Sequence, residues 1–332
     1  MTVKETNPFA TVIQIAGGYC LPRSLHVVAD LGVADALDET PRNATGLAES
    51  VGAQPDALDR VLRLLAAHGV FELQGDAFVH SPASRLLRTD HPQSMRAFAR
   101  MFGLPIFWTT FEEMEHSVRT GFPAASKTFP EGFWAYLAQR PEEGRVFNAA
   151  MGAKAQGAVA GILASYDFSG FGRIGDIGGG SGHLLRAVLD TEPAARGVLF
   201  DLPHVIEEAE SMASERLTLQ AGDFFQDALP SCDAYLLMEI IHDWGDEESV
   251  AILQAIRRAA PAHAKLLVIE TIVPDDPGPD WSKMLDIHML TLLGGRQRNQ
   301  QEYEALLTQS GFLFQREIDT GAGISILDTE LN

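Results

Sequence analysis

Apolar positions along the first third of the chain recur at intervals of three and four. Val12, Ile15 and Ala16, then Leu21, Leu25, Val28, Ala29 and Leu31, predict helix over 10–37, with a break at Pro22 and a stop at Gly32. A second helix, capped by Thr45, runs to Val51; Glu49 falls too late for a capping box. Gln54-Pro55 opens a third, whose buried face is Leu58, Val61, Leu62, Leu64 and Leu65 and which Gly69 ends. Val70–Leu73 and Ala77–His80 then flank Gln74-Gly75-Asp76, which reads as a hairpin. Past residue 172 the period changes. Short apolar runs at 173–177, 197–200, 217–220, 234–240 and 265–269 alternate with amphipathic helices, the signature of a parallel sheet with crossover helices. Two last runs, 313–318 and 323–328, predict an antiparallel edge.

The middle of the chain, 98–147, is rich in aromatic residues, among them Phe107, Trp108, Phe111, Phe133 and Trp134, punctuated by Pro105, Pro123, Pro130 and Pro141. Such a layer serves as core, as a pocket for a flat molecule, or as both. At 332 residues the chain is long for one core. Boundaries are expected at 1–97, 98–165 and 166–332. A net charge of −20 argues against nucleic acid and anionic membrane as partners. Helix, helix and hairpin form a winged-helix pattern, yet the helix that would read DNA carries Asp56, Asp59, Arg60 and Arg63, with no basic excess. Cys20 and Cys232 have neither disulfide-framework nor zinc spacing. No signal-like segment or membrane-spanning run is seen, so a cytoplasmic protein is expected.

Chemistry gathers at the ends of the predicted strands, where a doubly wound sheet binds its ligands. Asp176 is followed by Gly178, Gly179, Gly180 and Gly182 and then a helix. Glycines there let a ligand approach the backbone near a helix N-terminus. The spacing is one residue short of the dinucleotide fingerprint and no phosphate-loop lysine follows. An acid before the glycines suits an ammonium group, so S-adenosylmethionine fits better than NAD. Asp201 ends the second strand, where an acid can take both ribose hydroxyls; a helix cap is its plainer use. Asp223-Phe224 ends the third and suits an adenine. His242 follows the fourth as a candidate base, and Glu270 ends the fifth within reach of the imidazole, since neighbouring strands lie about 5 Å apart. Asp243, Asp246, Glu247 and Glu248 are better read as an acidic helix start than as metal ligands, and no metal is expected.

With these residues in view, the chain resembles the S-adenosylmethionine-dependent O-methyltransferases of the plant caffeic acid and animal hydroxyindole type. It is most similar to bacterial members that tailor anthracyclines, mitomycin and phenazines. The resemblance rests on Asp176–Gly182, Leu199–Pro203, Gly222–Phe225, His242-Asp243-Trp244 and Gly294–Arg298, and extends over nearly the whole chain. It implies an α/β fold: a class I methyltransferase Rossmann-like doubly wound sheet, behind an N-terminal, mostly helical winged-helix domain. That domain would build a swapped homodimer and help close the partner's site. It further implies S-adenosylmethionine held by Asp176, Gly178, Gly179, Gly180, Asp201, Leu202, Asp223, Phe224 and Met238, the last standing where plant members have lysine. His242 would be the proton acceptor, flanked by Glu270 and Glu302. Phe107, Trp108, Met151, Asp243, His288 and Met289 would frame a small aromatic acceptor. The implied reaction is methyl transfer to a phenolic hydroxyl. The alternatives are N-methylation of a phenazine-like heterocycle, a relative turned to decarboxylation or hydroxylation, and, from another class, a winged-helix regulator with a ligand sensor.

Overall fold

The computed structural model describes residues 7–332. The chain folds as two compact units: the described residues up to Pro105 with Arg145–Ala153, and Ile106–Gly144 with Lys154–Asn332. The helix Pro141–Ser165 runs through both.

The first unit begins with α1 (Pro8–Ala16) and α2 (Cys20–Leu31). The break falls at Gly17-Gly18 rather than at Pro22. Proline in the first turn of a helix gives up an N–H that has no intrahelical partner there, so Pro22 is accommodated inside α2. Gly32 ends α2 in the left-handed conformation, as its position implies. The helix α3 (Ala44–Val51) is capped by the Asn43 side chain, which accepts from Gly46 N–H, and not by Thr45. The helix α4 (Pro55–Ala67) starts on Gln54, whose side chain accepts from Ala57 N–H. The strand β1 (Arg42–Asn43) and the hairpin β2 (Phe71–Gln74) and β3 (Ala77–His80) form an antiparallel sheet in the order β1-β3-β2. Val28, Leu37, Leu47, Leu58, Leu62, Leu65, Phe71 and Phe78 make the core. No residue of α1 is buried: Phe9, Ile13 and Ile15 are each more than 70% exposed.

The second unit is built on a seven-stranded sheet. Its parallel strands are β4 (Arg173–Ile177), β5 (Arg196–Asp201), β6 (Leu217–Ala221), β7 (Ala234–Met238) and β8 (Lys265–Glu270). The antiparallel pair β9 (Phe312–Asp319) and β10 (Ser325–Leu331) closes one edge, giving the order β6-β5-β4-β7-β8-β10-β9. Alternate residues face opposite layers. Tyr235, Leu237, Leu266 and Val268 pack on Ile252 and Ile256 of the helix α5 (Asp246–Ala259). Leu236, Leu267, Ile269 and Leu199 pack on Leu184, Leu185 and Val188 of the opposite layer. Strand order reverses at β4, which lies between β5 and β7. The carboxyl ends of these three strands therefore flank the crevice in which such sheets take ligands. No helix among the described residues is long and apolar enough to cross a membrane.

Candidate active site

Beyond β4 the chain turns on glycines that need their freedom: Gly178, Gly180 and Gly182 have φ of +72°, +58° and +71°. Gly178 N–H donates to Phe200 O (2.7 Å) and Gly182 N–H to Gly179 O (2.9 Å). Two of the turn's positions are packed from beneath. A Cβ on Gly179 would lie 2.4 Å from the Asp176 carboxyl carbon, and one on Gly178 would lie 2.7 Å from Ile240 Cδ1, with the Phe224 ring next at 3.8 Å. A Cβ on Gly180 would meet nothing within 4 Å, so this is the face a ligand can approach. Asp201 buckles the turn, accepting from Gly180 N–H (2.8 Å) on one oxygen and from Leu202 N–H (2.7 Å) on the other. The helix that follows, His183–Thr191, begins at Gly182 with no side-chain cap.

The sequence suggests Asp176 as the holder of an ammonium group. Its carboxyl instead lies under Gly179 and is 2% exposed; burial, and then the charge of Asp201, push its pKa up to about 7. It supports the turn from inside. Asp223 is tied to its own loop, accepting from Phe225 N–H (2.9 Å) and Gln226 Nε2 (2.7 Å). Phe224, Phe225 and Trp244 stack edge to face, their centroids 4.8–5.8 Å apart.

The strand β7 stops at Met238, two residues before the run 234–240 ends. Glu239 takes φ = +54°, the only positive φ outside glycine among the described residues. The turn is held by Glu239 N–H to Ile269 O (2.9 Å) and by an ion pair of its partly buried carboxylate with Lys154. A left-handed glutamate costs about 1–2 kcal/mol, and such strain gathers at functional sites. The turn delivers Ile240 to Gly178 and, two residues further on, His242 to Glu270.

His242 sits in the short 3₁₀ turn Ile241–Asp243, with 6% exposure. Its backbone N–H donates to Glu270 Oε1 (3.2 Å). The ring Nδ1 lies 2.9 Å from Glu270 Oε2, an ion contact without an aligned N–H, and Nε2 lies 3.3 Å from Asp243 Oδ1. Burial works against a charge on this ring, but the Glu270 carboxylate, and then Asp243, outweigh it and hold the pKa well above 6.5.

Glu302, expected beside the ring, makes no ion contact with it among the described residues. Its Oε2 accepts from Asn299 N–H (2.9 Å) while Asn299 Oδ1 accepts from Glu302 N–H (2.9 Å), a reciprocal capping box at the start of the helix α6 (Gln300–Gln309). Its Oε1 pairs with Arg296 (2.9 Å). The second carboxylate on the imidazole is Asp243, which the resemblance places with the acceptor. Sequence spacing also passes over the segment Gly294–Arg298 as a source of site residues. Arg296 N–H donates to His242 O (2.9 Å), and the buried Arg298 guanidinium donates to Ile241 O and Trp244 O.

On the acceptor side, His288 and Met289 lie on the helix from Trp281 to Leu292. The His288 ring meets Phe111 and Phe107 edge to face (5.0 and 6.0 Å), and Phe107 meets Phe133 in the same way (6.2 Å). Burial lowers the His288 pKa to about 4, so this ring is neutral at physiological pH. Trp108 follows Phe107 on the helix Pro105–Glu112. Met151 belongs to the portion of its helix that groups with the first unit.

Residues 111–313 match the family described as the O-methyltransferase domain, and 13–90 the O-methyltransferase dimerisation domain. A phenazine O-methyltransferase of Lysobacter antibioticus is 40% identical, covering 96% of this chain and 94% of that protein. The crystal structure of a mitomycin 7-O-methyltransferase superposes with a TM-score of 0.89 at 36% identity, covering 98% of each chain. Human N-acetylserotonin methyltransferase, solved with S-adenosylmethionine, gives 0.91 at 25% identity over the whole of both chains. Some further relatives are named as N-methyltransferases.

Proposed function

From the premise that this chain belongs to the O-methyltransferase family, with S-adenosylmethionine as its cofactor, we propose that it methylates a phenolic hydroxyl on a small aromatic secondary metabolite, with His242 as the base. One observation carries the reading: an imidazole held between two carboxylates at the tip of β7, beside the glycine turn. Nitrogen acceptors have a free lone pair and need no such base, so the arrangement favours oxygen.

The residues present suit the cofactor. Gly180 opens outward, Asp201 keeps a lone pair on each oxygen for a ribose diol, and the Phe224 ring lies beside Gly178 for an adenine face. Gly178, Gly179, Leu202, Asp223 and Met238 complete this side, and Asp176 supports it from below. When bound, S-adenosylmethionine supplies an electrophilic methyl group. His242 takes the phenolic proton as the oxygen becomes nucleophilic. Glu270 fixes the ring and stabilises its charged form, and Asp243 shares the other nitrogen. Phe107, Trp108, His288 and Met289 hold the flat acceptor, and fixing both reactants replaces an encounter with a near-attack pair. Labelled methyl from the cofactor is expected in 2-naphthol and not in 2-naphthylamine. Label in the amine alone would overturn the oxygen reading.

We also propose a homodimer through the first unit, supported by the dimerisation-domain match and by the apolar, solvent-facing α1. Ile13→Asp is expected to halve the mass seen by sedimentation; an unchanged mass would clear α1 of the contact. In the would-be DNA-reading helix Arg63 is paired with Asp59 (2.6 Å), which supports no nucleic-acid role. Two free cysteines support a cytoplasmic setting.

A further inference from the structure

Gln297 is 3% exposed, and neither Oε1 nor Nε2 has a hydrogen-bond partner among the described residues. Burying an unpaired amide is costly, whereas an apolar side chain of the same length would carry no such penalty. The backbone on both sides of Gln297 is tightly fixed. Arg296 N–H donates to His242 O (2.9 Å), and Gly295 lies so close to the base that a Cβ there would fall 2.1 Å from the same oxygen. Gln297 N–H donates to Asp286 Oδ1 (2.8 Å), two residues before His288 on the acceptor-side helix. The carbonyl of Arg298 accepts from Val273 N–H (3.0 Å), three residues past Glu270. Gln297 thus stands where the base, the end of β8 and the His288 helix meet.

We propose that Gln297 is a specificity-determining residue that hydrogen-bonds a second oxygen on the acceptor ring, next to the hydroxyl that is methylated. The inference rests on the O-methyltransferase reading. An amide offers one acceptor and two donors without charge, so it can pair with a neighbouring hydroxyl or carbonyl without adding a charge beside Glu270 and Asp243. A site built to hydrogen-bond a substrate oxygen discriminates against the analogue lacking it, because its own buried groups are then left unpaired.

The test uses the full-length protein and two acceptors of one skeleton, 2,3-dihydroxynaphthalene and 2-naphthol. Wild type is expected to favour the diol in kcat/KM by about tenfold, well beyond the factor of two from its two equivalent hydroxyls. In Gln297→Leu the preference falls to that factor of two, through a higher KM for the diol, while KM for S-adenosylmethionine and Tm hold. Gln297→Glu keeps an acceptor atom and retains part of the preference. An unchanged ratio in Gln297→Leu overturns the proposal. Fluorescence titration of both naphthols into protein saturated with S-adenosylhomocysteine makes the same comparison without turnover. Methyl transfer with an unaltered ratio therefore counts against Gln297 alone. A preference in binding that Leu abolishes, with no methyl transfer to either compound, counts against the O-methyl reading alone.

Discussion

His242→Ala is expected to lose about 10²–10⁴-fold in turnover, the usual contribution of a positioned base, while binding S-adenosylhomocysteine as wild type does. The dependence on pH adds a second check. Glu270 and Asp243 raise the ring's pKa, and only the neutral ring can accept a proton, so the reactive form is gained as pH rises. The rate should therefore rise with pH through the raised value. Glu270→Gln removes the largest charge favouring the imidazolium, so the rising limb should move to lower pH. The sign for stability is the reverse. A group whose pKa is raised by folding contributes its full stabilisation below 6.5 and loses it as pH passes the folded value, so Glu270→Gln should cost most stability on the acid side. Equal kcat in His242→Ala, measured with a true acceptor, would remove the base from the mechanism. An unmoved limb in Glu270→Gln would remove Glu270 as the source of the shift.

The parts of this site that are legible in the sequence are those set by local rules. Strands buried on both faces read as short apolar runs, and the acids and histidine that follow them fall at the sheet's carboxyl edge, so Asp201, His242 and Glu270 can be placed by counting strands. Where the reading fails, a competing local rule or a distant partner decides the outcome. Pro22 reads as a break, but a first-turn proline is harmless and two glycines upstream are not. Glu302 lies at a plausible distance from His242 in the sequence, yet Asn299-x-x-Glu302 is also a capping signal, and the cap and Arg296 hold its two oxygens. The turn that follows β7 is held in part by Lys154, 85 residues away, and nothing near Glu239 announces it. Gln297 is not legible in the sequence because an uncharged amide carries no acid–base signal. Its importance lies in being buried without a partner, a property of the fold alone.

Arg298→Met is expected to cost about 3 kcal/mol of stability and to lower kcat at least tenfold with little change in KM for the cofactor. The guanidinium is 1% exposed and gathers the backbone that carries the base: Ile241 O (3.2 Å), Trp244 O (3.0 Å) and, on the acidic first turn of α5, Asp246 Oδ1 (2.7 Å). Methionine fills most of the same volume and donates nothing, so Ile241 O would keep only Trp244 N–H (3.2 Å), and the Ser249 hydroxyl (3.4 Å) would be all that is left to share with Trp244 O. Lysine supplies the charge but not the fork, and should recover part of the stability and little of the rate, since one ammonium cannot span carbonyls three residues apart. The separation between the two variants is the useful measurement. If methionine melted at the wild-type temperature, the desolvation of the buried guanidinium would already offset its bonds, as happens when some buried ion pairs are replaced by apolar groups. A kcat that still fell would then assign Arg298 to holding the His242 turn in register and not to holding the fold together.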